Sequence, residues 1–143
     1  MTAKEEAENI LKLTDHNMFK ALDILDKQLS TLHTRAQVLM SLAGVTVTVT
    51  GFSGRLIAGT SPLAQLMVIA GLSTVLVSAV WVYLRVMGIK WMTSMVEGEK
   101  IESLELAIKR RNKKTVAYAT GGKILFLGLA FYSIAFALLL LNP

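Results

Sequence analysis

Three stretches of the chain carry no charged residue: 36–54, 63–84 and 124–141. Each holds about 18–22 residues, the length an α-helix needs to cross roughly 30 Å of hydrocarbon. The pattern predicts three transmembrane helices, with spans one and two at about 36–56 and 63–86. Span one contains Val45-Thr46-Val47-Thr48-Val49-Thr50, whose alternation has the period of a strand. A lone strand in lipid leaves its backbone groups unpaired, and three spans cannot close a barrel. A threonine in a membrane helix can bond back to the preceding turn. Helix is therefore the reading for this run as well.

Ahead of span one, residues 3–34 contain neither Pro nor Gly. Met18, Leu22, Leu25, Leu29 and Leu32 follow a 4-3-4-3 spacing, the seam of a coiled coil. Extended forward, the register reaches Ala36 and Leu39. This predicts one long amphipathic helix continuous with span one, its polar part roughly 45 Å long. Between spans two and three, Glu97-Gly98-Glu99 is expected to break the helix that leaves the membrane. Ile101, Leu104 and Ile108 then form a second apolar stripe. Acidic residues open that segment and basic residues close it, which suits the helix dipole, and Glu105 and Lys109 are placed to pair. The two stripes are expected to pack on each other or on copies in other subunits. The chain divides into an N-terminal helix (1–34), a transmembrane hairpin (35–92), a charged helical segment (93–115) and a third span (116–143), an all-α membrane fold.

Composition agrees with this pattern. Hydrophobic residues make up 53% of the 143, charged residues 17%, and cysteine is absent. Mean hydropathy is +0.54. A soluble enzyme of this size needs more polar surface, and thiol chemistry is excluded. The net charge of +5 has a distribution that matters more than its size. Only Arg55 among the basic residues lies between spans one and two, and none follows span three. All ten acidic residues share the side of the other bases. The positive-inside rule then sets the N-terminus in the cytoplasm and the C-terminus outside, in a multi-pass protein of a bacterial inner membrane. Trp81 and Tyr83 before Arg85, and Lys90 and Trp91 after it, suit the inner headgroup level. Lys109, Arg110, Arg111, Lys113 and Lys114 read as contacts for lipid headgroups or another anion. No aromatic residues interleave with them, so nucleic acid is not an expected partner.

Small and hydroxylated residues mark the spans. Gly44, Thr48, Gly51 and Arg55 share one face of span one, and Gly71, Thr74 and Ser78 one face of span two. Such faces let helices approach closely in lipid. Thr46, Thr50 and Ser53, or else the Thr48 face, are candidates to line a water-filled path in an oligomer. No span holds an internal carboxylate, lysine or histidine, which disfavours proton-coupled transport. His16 and His33 are far apart, and no phosphate loop, nucleophile elbow or metal motif is present. Neither an enzymatic activity nor a cofactor is expected.

The entry to span one reads Thr34-Arg35-Ala36, followed by Val38-Leu39-Met40-Ser41-Leu42-Ala43-Gly44. With the close second span, charged helix and terminal span, this resembles the small membrane-spanning effectors of the Pycsar anti-phage systems. The resemblance implies an oligomer that permeabilises the inner membrane in response to a cyclic pyrimidine nucleotide. Thr34, Arg35 and Ala36 are the residues that match its entry motif. The expected function is a self-associating membrane protein that forms or gates a pore or disrupts the bilayer. The alternative is a membrane scaffold whose cytoplasmic helices recruit a soluble partner.

Overall fold

The computed structural model describes residues 2–59, 61–88 and 100–141, with Ala58 described in backbone only. Among these are four α-helices: α1 (Ala3–Leu13), α2 (Met18–Ala58), α3 (Pro62–Arg85) and α4 (Lys100–Leu141). Lys90, Trp91 and the Glu97-Gly98-Glu99 break lie outside the described residues.

The single helix expected over 3–56 is two. Thr2 and Glu5 form a capping box that starts α1. Thr14 ends it by turning its hydroxyl onto the carbonyl of Ile10 at 2.8 Å. Asp15 and His16 then take positive φ values of 51° and 58°. Asn17 starts α2, its side-chain oxygen accepting from the amides of Phe19 and Lys20. Thr14-Asp15-His16-Asn17 is a run of cap and turn residues, so local hydrogen bonds outcompete helix continuation there. The seam therefore begins at Met18, and α1 folds back.

From Met18 the chain stays helical for 41 residues, through the whole first apolar run. Gly59 caps its end, and Ser61 with Pro62 starts α3. The helix does not break between the charged segment and the third apolar run. α4 is one helix of 42 residues carrying both the charged segment and the third apolar run, straight through Gly121-Gly122.

At the charged end, α1, α2 and α4 bury one cluster: Ala7, Ile10 and Leu11 with Ala21 and Leu25, against Leu104, Ala107 and Ile108. Met18 and Leu22 pack at its edge, and Leu29 and Leu32 are buried higher on α2. The two stripes thus meet within one chain, and α1 adds a third side. In water, burying Leu25 there is worth about 1.5–3 kcal/mol.

Toward the apolar end, Ala43, Val75 and Leu125 and then Ile57, Val68 and Ala135 form successive layers. The closest approach is between α3 and α4. A Cβ on Gly71 would stand 2.9 Å from the carbonyl oxygen of Gly128, and one on Gly128 would meet Val75 at 2.8 Å. Ser78 donates its hydroxyl to the Gly121 carbonyl at 2.7 Å. The outer faces carry exposed Phe52, Leu56, Val80 and Phe126. α2, α3 and α4 are each long and apolar enough to cross a membrane.

Candidate functional site

The small-residue face of α2 is not buried within the chain. Gly44, Thr48 and Gly51 are exposed, and a Cβ built on Gly44 or Gly51 would touch nothing within 4 Å. Gln37, Ser41 and Arg55 extend the same face at the same 4-3 spacing, also exposed. The result is a small and polar stripe of six residues along an outer surface that is otherwise apolar. Gly71 and Ser78 of α3 do pack within the chain, against α4. Thr74 is half-buried and bonded to the carbonyl of Ala70.

Thr46, Thr50 and Ser53 show the reverse outcome. Thr46 and Thr50 are buried in the chain's own bundle, with hydroxyls bonded to Leu42 and Thr46. Ser53 bonds to the carbonyl of Val49 and meets the Tyr132 hydroxyl of α4 at 3.2 Å. Thr46 and Thr50 are therefore interior contacts of the chain, and Ser53 is half-buried beside them. β-branched residues at 46 and 50 fill the wedge between α2 and its neighbours, where glycines would leave a gap.

The basic cluster also divides. Lys109 pairs with Glu105 at 2.6 Å along its own helix. Arg111 reaches Glu6 of α1 through two bonds of 2.7 and 2.9 Å, and Gln28 of α2 at 2.7 Å. It ties three helices together. Arg110, Lys113 and Lys114 line a cleft between α4 and the end of α3, where Arg85 joins them.

Lys114 is only 8% exposed. Its ammonium donates to the carbonyl of Gly88 at 2.9 Å and lies 3.1 Å from Nε2 of His33. That same Nε2 lies 3.2 Å from the carbonyl of Val86. One ring nitrogen cannot accept from Lys114 and donate to Val86 at once, so the tautomer of His33 selects its partner. Both groups lie outside the three apolar runs. Burial, then the nearby Lys114 charge, pushes His33 below its ordinary pKa. Burial and Arg110 push Lys114 down. Lys114 falls in register with Leu104, Ala107 and Ala117 on the buried stripe of α4. That register was a sequence signal for its burial, while its meeting with His33 needed the tertiary fold.

Of the entry motif, Thr34 and Arg35 are exposed and Ala36 is buried against Val82 and Val86. Thr34 bonds back to Ser30 at 3.1 Å. Among the described residues, no group of three or more His, Asp or Glu side chains could hold a metal ion. Scans against protein-family models, curated proteins and solved structures found no match for this chain.

Proposed function

We propose that this protein self-associates in a membrane through the outward stripe of α2, and that the assembly forms or gates a path across the bilayer. The observation that carries the reading is the stripe itself. Gln37, Ser41, Gly44, Thr48, Gly51 and Arg55 are all exposed on one face, with none of the described helices over them. In lipid an unpartnered amide, hydroxyl and close-packing surface of this kind favours another helix, because small residues admit a backbone and hydroxyls add bonds between helices. The Thr48 hydroxyl already bonds to the Gly44 carbonyl at 3.0 Å, so its oxygen still has a lone pair for water or a neighbour. Copies arranged around such stripes bring six polar or small positions toward one axis. Membrane damage in anti-phage defence, implied by the resemblance of the entry segment, rests on the same property.

The absence of cysteine makes the test clean. Ser41→Cys and Thr48→Cys are expected to give disulfide-linked dimers in native membranes, and Val80→Cys on the outer face of α3 is not. Equal cross-linking at all three positions overturns the stripe as the contact. Reconstituted protein is expected to release a trapped dye from liposomes, and tightness at every protein-to-lipid ratio overturns the path.

A second reading draws on Leu13 and Phe19, which are 82% and 86% exposed beside the α1–α2 turn. In a scaffold these two residues anchor a soluble partner. Leu13→Ser with Phe19→Ser then abolishes function while cross-linking at Thr48→Cys persists.

A further inference from the structure

The cleft beside Arg85 has two chemically distinct parts. Its first compartment, about 530 Å³, is lined by Trp81, Leu84, Arg85, Arg110, Lys113 and Lys114 among others. Four of those are cations, and none of the described lining residues is acidic. Its second compartment, about 460 Å³, shares Trp81, Leu84 and Arg85 and continues along Leu76, Val77 and Val80. Those last three side chains are apolar and exposed on the outer face of α3. A basic mouth therefore opens onto an apolar trough that follows one face of α3.

The mouth is held in place. The indole of Trp81 donates to the carbonyl of Ala117 at 3.1 Å, which fixes the ring against α4. The guanidinium of Arg85 lies over that ring, 5.2 Å from its centroid. Arg85 and Lys113 form no ion pair with any described carboxylate. Two cations with no ion pair among the described residues, beside a third that is buried, favour an anion in a site partly shielded from water.

We infer that this cleft binds an anionic phospholipid, with its phosphate at Arg85, Arg110 and Lys113 and an acyl chain along Trp81, Leu84 and Val80. Charge complementarity selects the headgroup, and the adjoining trough selects a ligand that carries a hydrocarbon tail. A free phosphate compound satisfies only the first half. The site stands apart from the α2 stripe, so it holds whether or not the protein self-associates.

The test uses the full chain in detergent micelles with equal phosphatidylglycerol and phosphatidylcholine, read by native mass spectrometry. The wild type retains phosphatidylglycerol in preference. Arg85→Gln with Lys113→Gln weakens that retention about thirtyfold, near fivefold per cation. The charge-matched pair Lys12→Gln with Lys20→Gln leaves it unchanged. Equal retention of both lipids by the wild type overturns the site, as does an equal loss in both double variants. Displacement of the lipid by inorganic phosphate at comparable concentration overturns the tail's part in binding. Should the Arg85 variant fail to fold, Trp91→Phe leaves Trp81 as the sole tryptophan. Brominated phosphatidylglycerol then quenches it more than brominated phosphatidylcholine, and equal quenching refutes the proposal.

Discussion

Two stripes of small residues in this protein meet opposite fates. On α3 and α4, Gly71, Ser78, Gly121 and Gly128 close the chain on itself, near enough that added Cβ atoms meet backbone or side chain. On α2, Gly44, Thr48 and Gly51 have open space above them. Composition does not separate the two, since each mixes glycine and hydroxyls. What separates them is supply: α3 and α4 occupy each other, and α2 is left with one face spent on its neighbours and one face free. A small-residue stripe thus specifies close packing without specifying the partner.

The sharpest way to break the contrast is to put the same bulky residue on both stripes. Gly128→Leu is expected to destabilise the bundle by about 3 kcal/mol or more, because Gly71 and Val75 cannot withdraw. Thermal unfolding in detergent measures it. Gly44→Leu is expected to leave that melt in place and to remove cross-linking at Thr48→Cys. A Gly44→Leu melt that falls as far as Gly128→Leu would erase the distinction.

The next effect concerns the charged end. Arg111→Ala removes the bond to Gln28 of α2 and the paired bonds to Glu6, the latter expected to hold α1 with about 2 kcal/mol. Proteolysis at the α1–α2 turn accelerates while the apolar helices stay protected. An unchanged cleavage rate shows that the Ile10, Leu11 and Leu104 cluster alone secures α1.

Ser78→Ala is smaller, about 0.6 kcal/mol, since hydroxyl bonds between membrane helices are individually weak. A loss of several kcal/mol would show that the hydroxyl does more than bond Gly121.

The last effect is confined to a pH window. His33 sits below its ordinary value of 6.5 because burial and Lys114 disfavour the imidazolium. On acidification the unfolded chain therefore takes up the proton first. Stability is full above pH 6.5 and declines as pH falls through the depressed value of the folded state. His33→Gln flattens that decline, and a steeper fall in the variant contradicts the assignment.

The spans were legible because lipid leaves a chain few choices. Three charge-free runs of membrane length became three long helices, bounded at the hairpin by Gly59, Ser61 and Pro62 much as those residues suggest. The leucine seam from Met18 to Leu32 was equally readable, since its spacing is that of a helix face. The break at Thr14–Asn17 was readable in principle as four consecutive cap and turn residues, but the lack of Pro and Gly over 3–34 spoke for continuity. The continuity of α4 was hidden for the converse reason: a glycine pair and a change from charged to apolar residues suggest a boundary where backbone hydrogen bonding simply continues.

The sites were less legible. Five adjacent bases at 109–114 form one patch along the chain, yet in three dimensions Lys109 goes to Glu105, Arg111 to Glu6 and Lys114 to Gly88. Helical rotation of 100° per residue sends neighbours in sequence to different faces. Arg85, 25 residues from Arg110, joins the cleft only because α3 and α4 lie side by side.

By itself, then, the sequence determined that the chain is helical, which runs are apolar enough to cross a membrane, and which residues share a face of each helix. Those follow from local periodicity and from the cost of unpaired backbone in lipid. Only the tertiary structure decided which face meets which. It turned Thr46 and Thr50 inward and Thr48 outward, and it drew Lys114 to His33. Helix faces of similar composition differ little in free energy until a particular neighbour is packed against them.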